Sequence, residues 1–439
     1  MNHRLRTFDV TMLVVSLVIG IGIFRTPQIV AQQAGTLPLF ALAWVLGAFC
    51  SMCGALTFAR IGTMHPVTGG FYSIFSECYH PGFAFAMNWS LVVTNAASMA
   101  GVALIGAEYL APVIISGPVT HVHKDVIVAV TVLSLYIVNV RGLRLGATAQ
   151  NLFSALKVIL ILGLCSLVFF LPGQTISEMP TPAGATSPWY VALGTALISV
   201  FFTYGGYQST INIGADVENP GTTFPRGIIG AMLVVLVLYG CANIAYVNVL
   251  GFETVKTTPL VAAALASKLF GEHGMQVTAL IIVVSVIGFL NSGLICLPQT
   301  MTAMAEDGML PSYFSRTDHG DKVGARTLTV FTALMLVQYF SMGTFQRLMN
   351  YVMFTDSLSL AFGAACVYIL ARNRNEQLPL SSRFFHAITP AVFIAIMLVV
   401  TLNVTLSEPA NALAGLAVFT AGAAVFTLRH VISIKGKKV

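Results

Sequence analysis

The chain has 439 residues, of which 56% are apolar and 9% charged, against about 25% charged in a soluble domain; water is excluded as its main solvent. Its net charge of +6 comes from Lys and Arg scattered singly between apolar segments, which excludes a basic face for nucleic acid. The seven cysteines lie almost entirely inside apolar stretches and read as small packing residues, with Cys50 and Cys53 mid-segment and far from any βαβ context that would make their spacing a redox motif.

A bilayer-spanning helix needs about 20 largely apolar residues. Such stretches, bounded by charge, Gly or Pro, lie at 8–33, 36–59, 82–113, 126–140, 147–171 and 189–214, then at 227–250, 275–304, 327–342, 348–371, 384–406 and 409–429. They predict an all-α membrane protein with 12 transmembrane helices. Arg4 and Arg6 before the first apolar run imitate a secretion signal, but no convincing small-residue cleavage site follows. The run is read as the first span. The fourth and ninth stretches are short and have room to extend into their loops. The segment 259–273 is too short and too polar at its end to cross, and is predicted to form an external helix on the protein or the interface.

Twelve spans put both termini on one side. With the termini cytoplasmic, sixteen of the twenty-two Lys and Arg residues fall on inner loops and ends. Four, Lys124, Lys256, Lys268 and Arg347, fall outside. This is the asymmetry expected of a multi-pass protein with cytoplasmic N- and C-termini; Arg25 and Lys157 lie within spans.

The first and sixth spans carry glycines in mid-segment, in Val18-Ile19-Gly20-Ile21-Gly22-Ile23-Phe24 and Phe202-Thr203-Tyr204-Gly205-Gly206-Tyr207. Glycine lets a helix unwind. Unwound backbone is tolerated at membrane depth where it is buried in protein or lines a watery cavity. Interruptions in corresponding spans of two halves point to a transporter's binding site. Freed N–H groups at a half-helix N-terminus suit a carboxylate, and freed carbonyls suit an ammonium. Close helix packing is the alternative use of such glycines; the pairing of two breaks at the repeat spacing favours the site. The repeats are spans 1–5 (residues 1–171) and 6–10 (172–380), with spans 11 and 12 and the C-terminus (381–439) peripheral.

At these residues the sequence resembles the amino acid–polyamine–organocation superfamily, and within it the L-type amino acid transporters and their bacterial relatives. The matching motifs are I-G-I-G-I-F at 19–24, F-T-Y-G-G-Y at 202–207 followed by Glu218-Asn219-Pro220, and Ala305-Glu306-Asp307-Gly308-Met309-Leu310-Pro311 after the eighth span. The resemblance covers essentially the whole chain. It implies a LeuT-like 5+5 inverted repeat with broken helices 1 and 6. It further implies that the N–H groups of Ile21, Gly22 and Ile23 bind a substrate carboxylate, while the carbonyls of Val18, Phe202 and Gly205 take its amino group. Ile19, Gly20, Tyr204 and Gly206 complete the expected substrate site. Phe202 is the implied external gate, an aromatic otherwise compatible with plain packing. Ile21 stands where many relatives have a small residue, and Gly293 where some carry a serine.

Lys157 lies about ten residues into the fifth span. A lysine at that depth is a functional candidate, with snorkelling to the interface as the alternative. In relatives a lysine here replaces a sodium ion and links to the first helix, so the resemblance implies the same for Lys157, with Tyr239 and Asn291 as polar neighbours and no sodium requirement. Asp356 and Glu108 are acids in apolar surroundings and proton-site candidates if those surroundings desolvate them; a paired or wet carboxylate near a helix end is the simpler reading. Arg25 either attracts anions at the vestibule or reaches water.

The expected function is secondary active transport of small neutral L-amino acids across the plasma (inner) membrane by alternating access, as a sodium-independent exchanger or proton-coupled carrier. Cationic amino acid or polyamine antiport on the same fold is the alternative, and needs acidic residues that are scarce near the breaks. A channel or intramembrane enzyme lacks a polar stripe or paired catalytic residues. No cofactor or metal is expected. The loop between spans 3 and 4 has no cysteine, so no disulfide-linked heavy-chain subunit is expected; the partners are the amino acid and the lipid bilayer.

Overall fold

The computed structural model describes residues 6–65, 70–140, 155–163, 166, 188–208, 211, 217–315, 325–373 and 380–436. They are almost entirely helical, and no β-strand forms among them. In chain order the helices are α1 (Thr7–Val18), α2 (Gly22–Ala34), α3 (Leu37–Met64), α4 (Gly70–Cys78), α5 (Pro81–Ile114) and α6 (His121–Val140), followed by α7 at 155–163. Then come α8 (Trp189–Tyr204), α9 (Pro220–Leu250), α10 (Phe252–Thr257), α11 (Val261–Phe270), α12 (Gly274–Cys296) and α13 (Gln299–Glu306). The last four are α14 (Ala325–Met342), α15 (Phe345–Asn373), α16 (Leu380–Ser407) and α17 (Pro409–Gly436).

Eight segments among the described residues are long and apolar enough to cross a bilayer, and α8 is a shorter apolar helix. A run of such helices satisfies every backbone polar group internally, which is what a lipid solvent demands. The chain is therefore a multi-pass membrane protein. Its outermost helices leave large apolar side chains uncovered, such as Val130 of α6 and Leu413 of α17, as lipid-facing surfaces do. Inside, contacts between α1 and α9 close on small residues. A Cβ on Gly227 would lie 2.7 Å from Val10 Cγ1, so glycine is what lets these two backbones approach.

Several boundaries move from their expected places, each for a local reason. The fourth span begins at His121, five residues earlier than its apolar run, and the seventh begins at Pro220. Proline suits the first helical position, where its missing N–H has no partner to lose. Asn219 before it takes a left-handed turn with φ of 46°, a conformation asparagine tolerates better than most residues. The stretch read as 275–304 is two elements: α12 stops at Cys296, and α13 starts after Pro298, whose ring cannot continue a helix interior without losing a bond. The external helix expected over 259–273 forms as α11, and it lies on the protein. It buries Val261, Ala262, Ala263, Leu265 and Ala266 and turns back through a 3-10 turn at Gly271–His273 into α12, splitting the apolar window 261–294. The fifth span is described only at 155–163 and 166, so the rest of its expected range lies outside the described residues.

Candidate functional site

The first span is broken where its glycines fall. β-Branched Val18, Ile19 and Ile21 alternate with Gly20 and Gly22, a composition of weak helix formers. α1 ends at Val18; Ile19 leaves helical geometry with ψ of 76°, and the Gly20 N–H folds back onto the Val18 carbonyl at 2.7 Å. α2 restarts at Gly22. The first N–H groups of any helix lack intrahelical acceptors, and those of Ile21, Gly22 and Ile23 have no partner among the described residues. All three residues are buried. Three orphan donors at the positive end of a helix, sealed from bulk water, form a receptor for a negative group.

The sixth span breaks at the same depth. α8 ends at Tyr204; Gly205 is extended and Gly206 has φ of 121°, a region open to glycine and costly for other residues. The Phe202 carbonyl receives only a long bond, 3.4 Å, from the Gly205 N–H. The two breaks touch. A Cβ on Gly22 would meet Thr203 Cγ2 at 3.0 Å, and one on Gly206 would overlap the Leu17 carbonyl. The donor end of α2 thus stands beside the acceptor end of α8, opposite partial charges side by side, an arrangement matched to a molecule carrying a carboxylate and an ammonium on one carbon.

Tyr239 of α9 ties the breaks together. Its hydroxyl lies 2.9 Å from the Val18 carbonyl and 3.3 Å from that of Thr203, so one proton is shared between two helix ends. With Gly20 N–H also on Val18 O, that carbonyl has both lone pairs engaged, leaving Phe202 and Gly205 as the freer acceptors. Tyr239 and Tyr204 lie with ring centroids 5.1 Å apart, and both meet Trp44 edge-on. Two further tyrosines brace α2: Tyr246 donates to Ile23 O at 3.3 Å and Tyr109 to Phe24 O at 2.8 Å. The first has a covalent cause, because Pro27 has no N–H to offer the carbonyl four residues back. Removing the Tyr239 hydroxyl as Tyr239→Phe is expected to cost about 1 kcal/mol and to slow uptake into proteoliposomes severalfold while the protein stays folded; unchanged uptake would mean the phenol does not hold the breaks.

Lys157 on α7 is 4% exposed. Ile161, one turn later, shares a small crevice with Ile23, Phe24 and Tyr246. Asn291 lies on α12 and accepts a 2.9 Å bond from Asn139 of α6. Asp356 is partly buried near the middle of α15, not at its end.

The Phe202 ring meets Phe345, the first residue of α15, edge to face with centroids 5.6 Å apart. Beyond Phe345 opens a vestibule of about 530 Å³, lined among others by Arg25, Gln28, Glu108, Lys124, Phe345 and Asn350. It lies on the face opposite the N-terminus, where α5, α14 and α16 end and α6 and α15 begin. At the N-terminal face Arg6 pairs with Glu218 at 3.5 Å. Glu108 belongs to the vestibule and not to the breaks: it faces Arg25 at 3.5 Å and Lys124 at 3.8 Å. Sequence reasoning missed Phe345, Thr203, Trp44, Tyr109 and Tyr246. Their roles depend on which distant helix they meet; only Pro27 signalled in advance that a carbonyl would need a donor.

The described cysteines Cys50, Cys53, Cys78, Cys241 and Cys366 are free thiols. No group of His, Cys, Asp and Glu suited to hold a metal forms among the described residues.

Comparison with known proteins agrees with the geometry. The chain matches the amino acid permease family over residues 5–426. It is 29% identical to the serine/threonine exchanger SteT of Bacillus subtilis, over 68% of this chain and 67% of the relative. It is 26% identical to the b(0,+)-type amino acid transporter 1 of Mus musculus, over 91% and 82% of the two chains. Identity to the human large neutral amino acids transporter small subunit 2 is 25%, over 95% of this chain and 78% of that one. The chain is a transporter of amino acids and not an enzyme, and it belongs to the amino acid permease family.

Proposed function

We propose that this permease moves small neutral L-amino acids across the plasma membrane by alternating access, as a sodium-independent exchanger or proton-coupled carrier. The observation that carries the reading is the contact between two helix breaks, with the unpartnered N–H groups of Ile21, Gly22 and Ile23 beside the carbonyls of Phe202 and Gly205. A zwitterion satisfies both sets at once. A small side chain fits the reading because a serine/threonine exchanger is among the relatives.

In this reading twelve helices span the membrane with both termini in the cytoplasm. Spans 1–5 (residues 1–171) and 6–10 (172–380) are inverted repeats, and 381–439 is peripheral. Val18, Ile19, Gly20, Ile21, Gly22, Ile23, Phe202, Tyr204, Gly205 and Gly206 surround the substrate. Phe202, seated against Phe345, is the outer gate. A vestibule open beyond a shut aromatic lid is the arrangement of an outward-facing, occluded carrier. Lys157 takes the place of a coupling sodium ion beside the first break, with Tyr239, which joins the breaks, and Asn291 as its polar neighbours. Asp356, mid-membrane on α15, is the better placed of the two proton-site candidates, since Glu108 already has two cations beside it. No disulfide-linked heavy chain is required: the α5–α6 loop, 115–120, contains no cysteine.

The test is uptake of radiolabelled L-serine into proteoliposomes. Preloading with unlabelled L-serine is expected to accelerate uptake, and replacing sodium by choline to leave it unchanged. Failure to move any of the twenty amino acids would sink the reading, and strict sodium dependence would overturn the role given to Lys157.

A further inference from the structure

On the face opposite the vestibule, two thiols from distant parts of the chain meet. α15 leaves the vestibule at Phe345, and Cys366 follows 21 residues later, roughly 30 Å along the helix. There it faces Cys78, the last residue of α4, and the two thiols are close enough to hydrogen-bond to one another. The surroundings hold the pair in register. The Tyr79 hydroxyl donates to the Phe362 carbonyl at 2.8 Å, the same oxygen that the Cys366 thiol approaches at 3.4 Å. The rings of Tyr79 and Phe83 meet Phe362 edge-on, with centroids 6.0 and 5.0 Å apart. α4 is also tied to the end of α3, because His65 Nδ1 lies 2.7 Å from Glu77 Oε2 and its Nε2 3.1 Å from Ser73 Oγ. Cys78 is partly exposed and Cys366 is fully buried. Hydrogen bonding with the Cys366 thiol holds Cys78 below the ordinary thiol range, which favours the reactive thiolate. A cysteine within reach of solvent, with a second thiol directly behind it, is the arrangement of an attacking and a resolving cysteine.

We propose that Cys78 and Cys366 are an oxidation site, closing into a reversible disulfide that clamps α4 to α15 and slows transport. The oxidant is a hydroperoxide. The Cys78 thiolate attacks a peroxide oxygen, the O–O bond breaks, and Cys78 becomes a sulfenic acid while the rest of the peroxide leaves as an alcohol, or as water from hydrogen peroxide. The Cys366 sulfur then displaces the sulfenic hydroxyl as water, forming the S–S bond. In sum, two thiols lose two hydrogens and two electrons, and the hydroperoxide is reduced to an alcohol and water. A dithiol reverses the change by exchange. The bridge favours states in which both sulfurs lie together, so the population shifts towards them. Those states include the present one, with its vestibule open, and a carrier held in one state does not cycle. Cys50 and Cys53 are a second neighbouring pair, but both are buried inside membrane-spanning α3, away from a water-borne oxidant.

The experiment treats the full chain in proteoliposomes with hydrogen peroxide, with or without later dithiothreitol. Free thiols are then blocked with N-ethylmaleimide and the peptides mapped by mass spectrometry, beside uptake of radiolabelled L-serine and each of the other nineteen amino acids. Wild type is expected to yield a Cys78–Cys366 linked peptide and severalfold slower uptake, and dithiothreitol to remove the link and restore the rate. Cys78→Ser and Cys366→Ala should each yield no such peptide and keep their uptake after peroxide. Cys78→Ser keeps the test open should Cys366→Ala fail to fold, because Cys78 is partly exposed. No linked peptide in the wild type, or undiminished uptake with the link formed, overturns the proposal. The slowing of uptake rests on the reading of the chain as a carrier of neutral amino acids. Reduced protein that moves none of the twenty sinks that reading, whereas the presence or absence of the linked peptide still decides the oxidation site.

Discussion

Lys157→Ala is expected to abolish amino acid uptake in proteoliposomes, lowering the initial rate at least about a hundredfold, or about 2.7 kcal/mol, while the purified protein stays folded. An ionisable side chain at the centre of a membrane helix costs roughly 2.5–3.5 kcal/mol on insertion scales, so Lys157, at 4% exposure, is not explained by packing. Ile161, one turn along the same helix, shares a crevice with Ile23 and Phe24 just past the first break, and the role proposed for Lys157 is a link to that break. Losing the charge removes a desolvation penalty along with the aliphatic stem, so the melting temperature is expected to move by no more than about 4 °C, the scale of a 1 kcal/mol change. Uptake at the wild-type rate would refute any coupling role; an unfolded variant would assign Lys157 to stability. Lys157→Arg keeps the charge and changes its shape, and should restore folding more than transport.

Gly206→Ala is the second large effect. At φ of 121° any L side chain is strained, on the order of 1–3 kcal/mol. The added methyl would also overlap the Leu17 carbonyl, which is main chain and moves only if α1 moves. Relief of that overlap separates the two breaks. Uptake is expected to fall at least about tenfold, about 1.4 kcal/mol, with a drop of a few degrees in melting temperature measured in the same detergent. Gly240→Ala is the matched control. That glycine sits inside α9 with no foreign atom within 4 Å of an added Cβ, so alanine should leave transport unchanged and stabilise the helix by up to about 1 kcal/mol. Equal behaviour of the two variants would show that the contact between the breaks is incidental.

How much of this was legible in advance follows from where each signal resides. A hydrophobic run long enough to span lipid is a property of adjacent residues, so helices such as α5, α14 and α15 could be placed to within a turn or so. The breaks were legible for the same reason: Gly20, Gly22, Gly205 and Gly206 weaken a helix through their own backbones. Pro298 offered an equally local signal that was passed over, and it splits the eighth stretch. Contacts between distant helices were not legible. Nothing around Tyr239 in the sequence says that its hydroxyl bridges Val18 and Thr203, and nothing near Phe345 says that it seats Phe202. Glu108 and Asp356 looked alike as acids in apolar runs. One lies among cations at the vestibule and the other halfway along α15, a difference set by the neighbouring helices and absent from their own flanks.

The central claim is that an amino acid is held by main-chain groups at two apposed breaks. The most direct measurement is an electron cryo-microscopy structure of the full chain in nanodiscs with the transported amino acid bound. We expect ligand density between 19–23 and 202–206, with its carboxylate within hydrogen-bonding distance of the Ile21, Gly22 and Ile23 N–H groups and its ammonium facing the Phe202 and Gly205 carbonyls. Density confined to another part of the bundle, or continuous helices through Gly20 and Gly205, would contradict it.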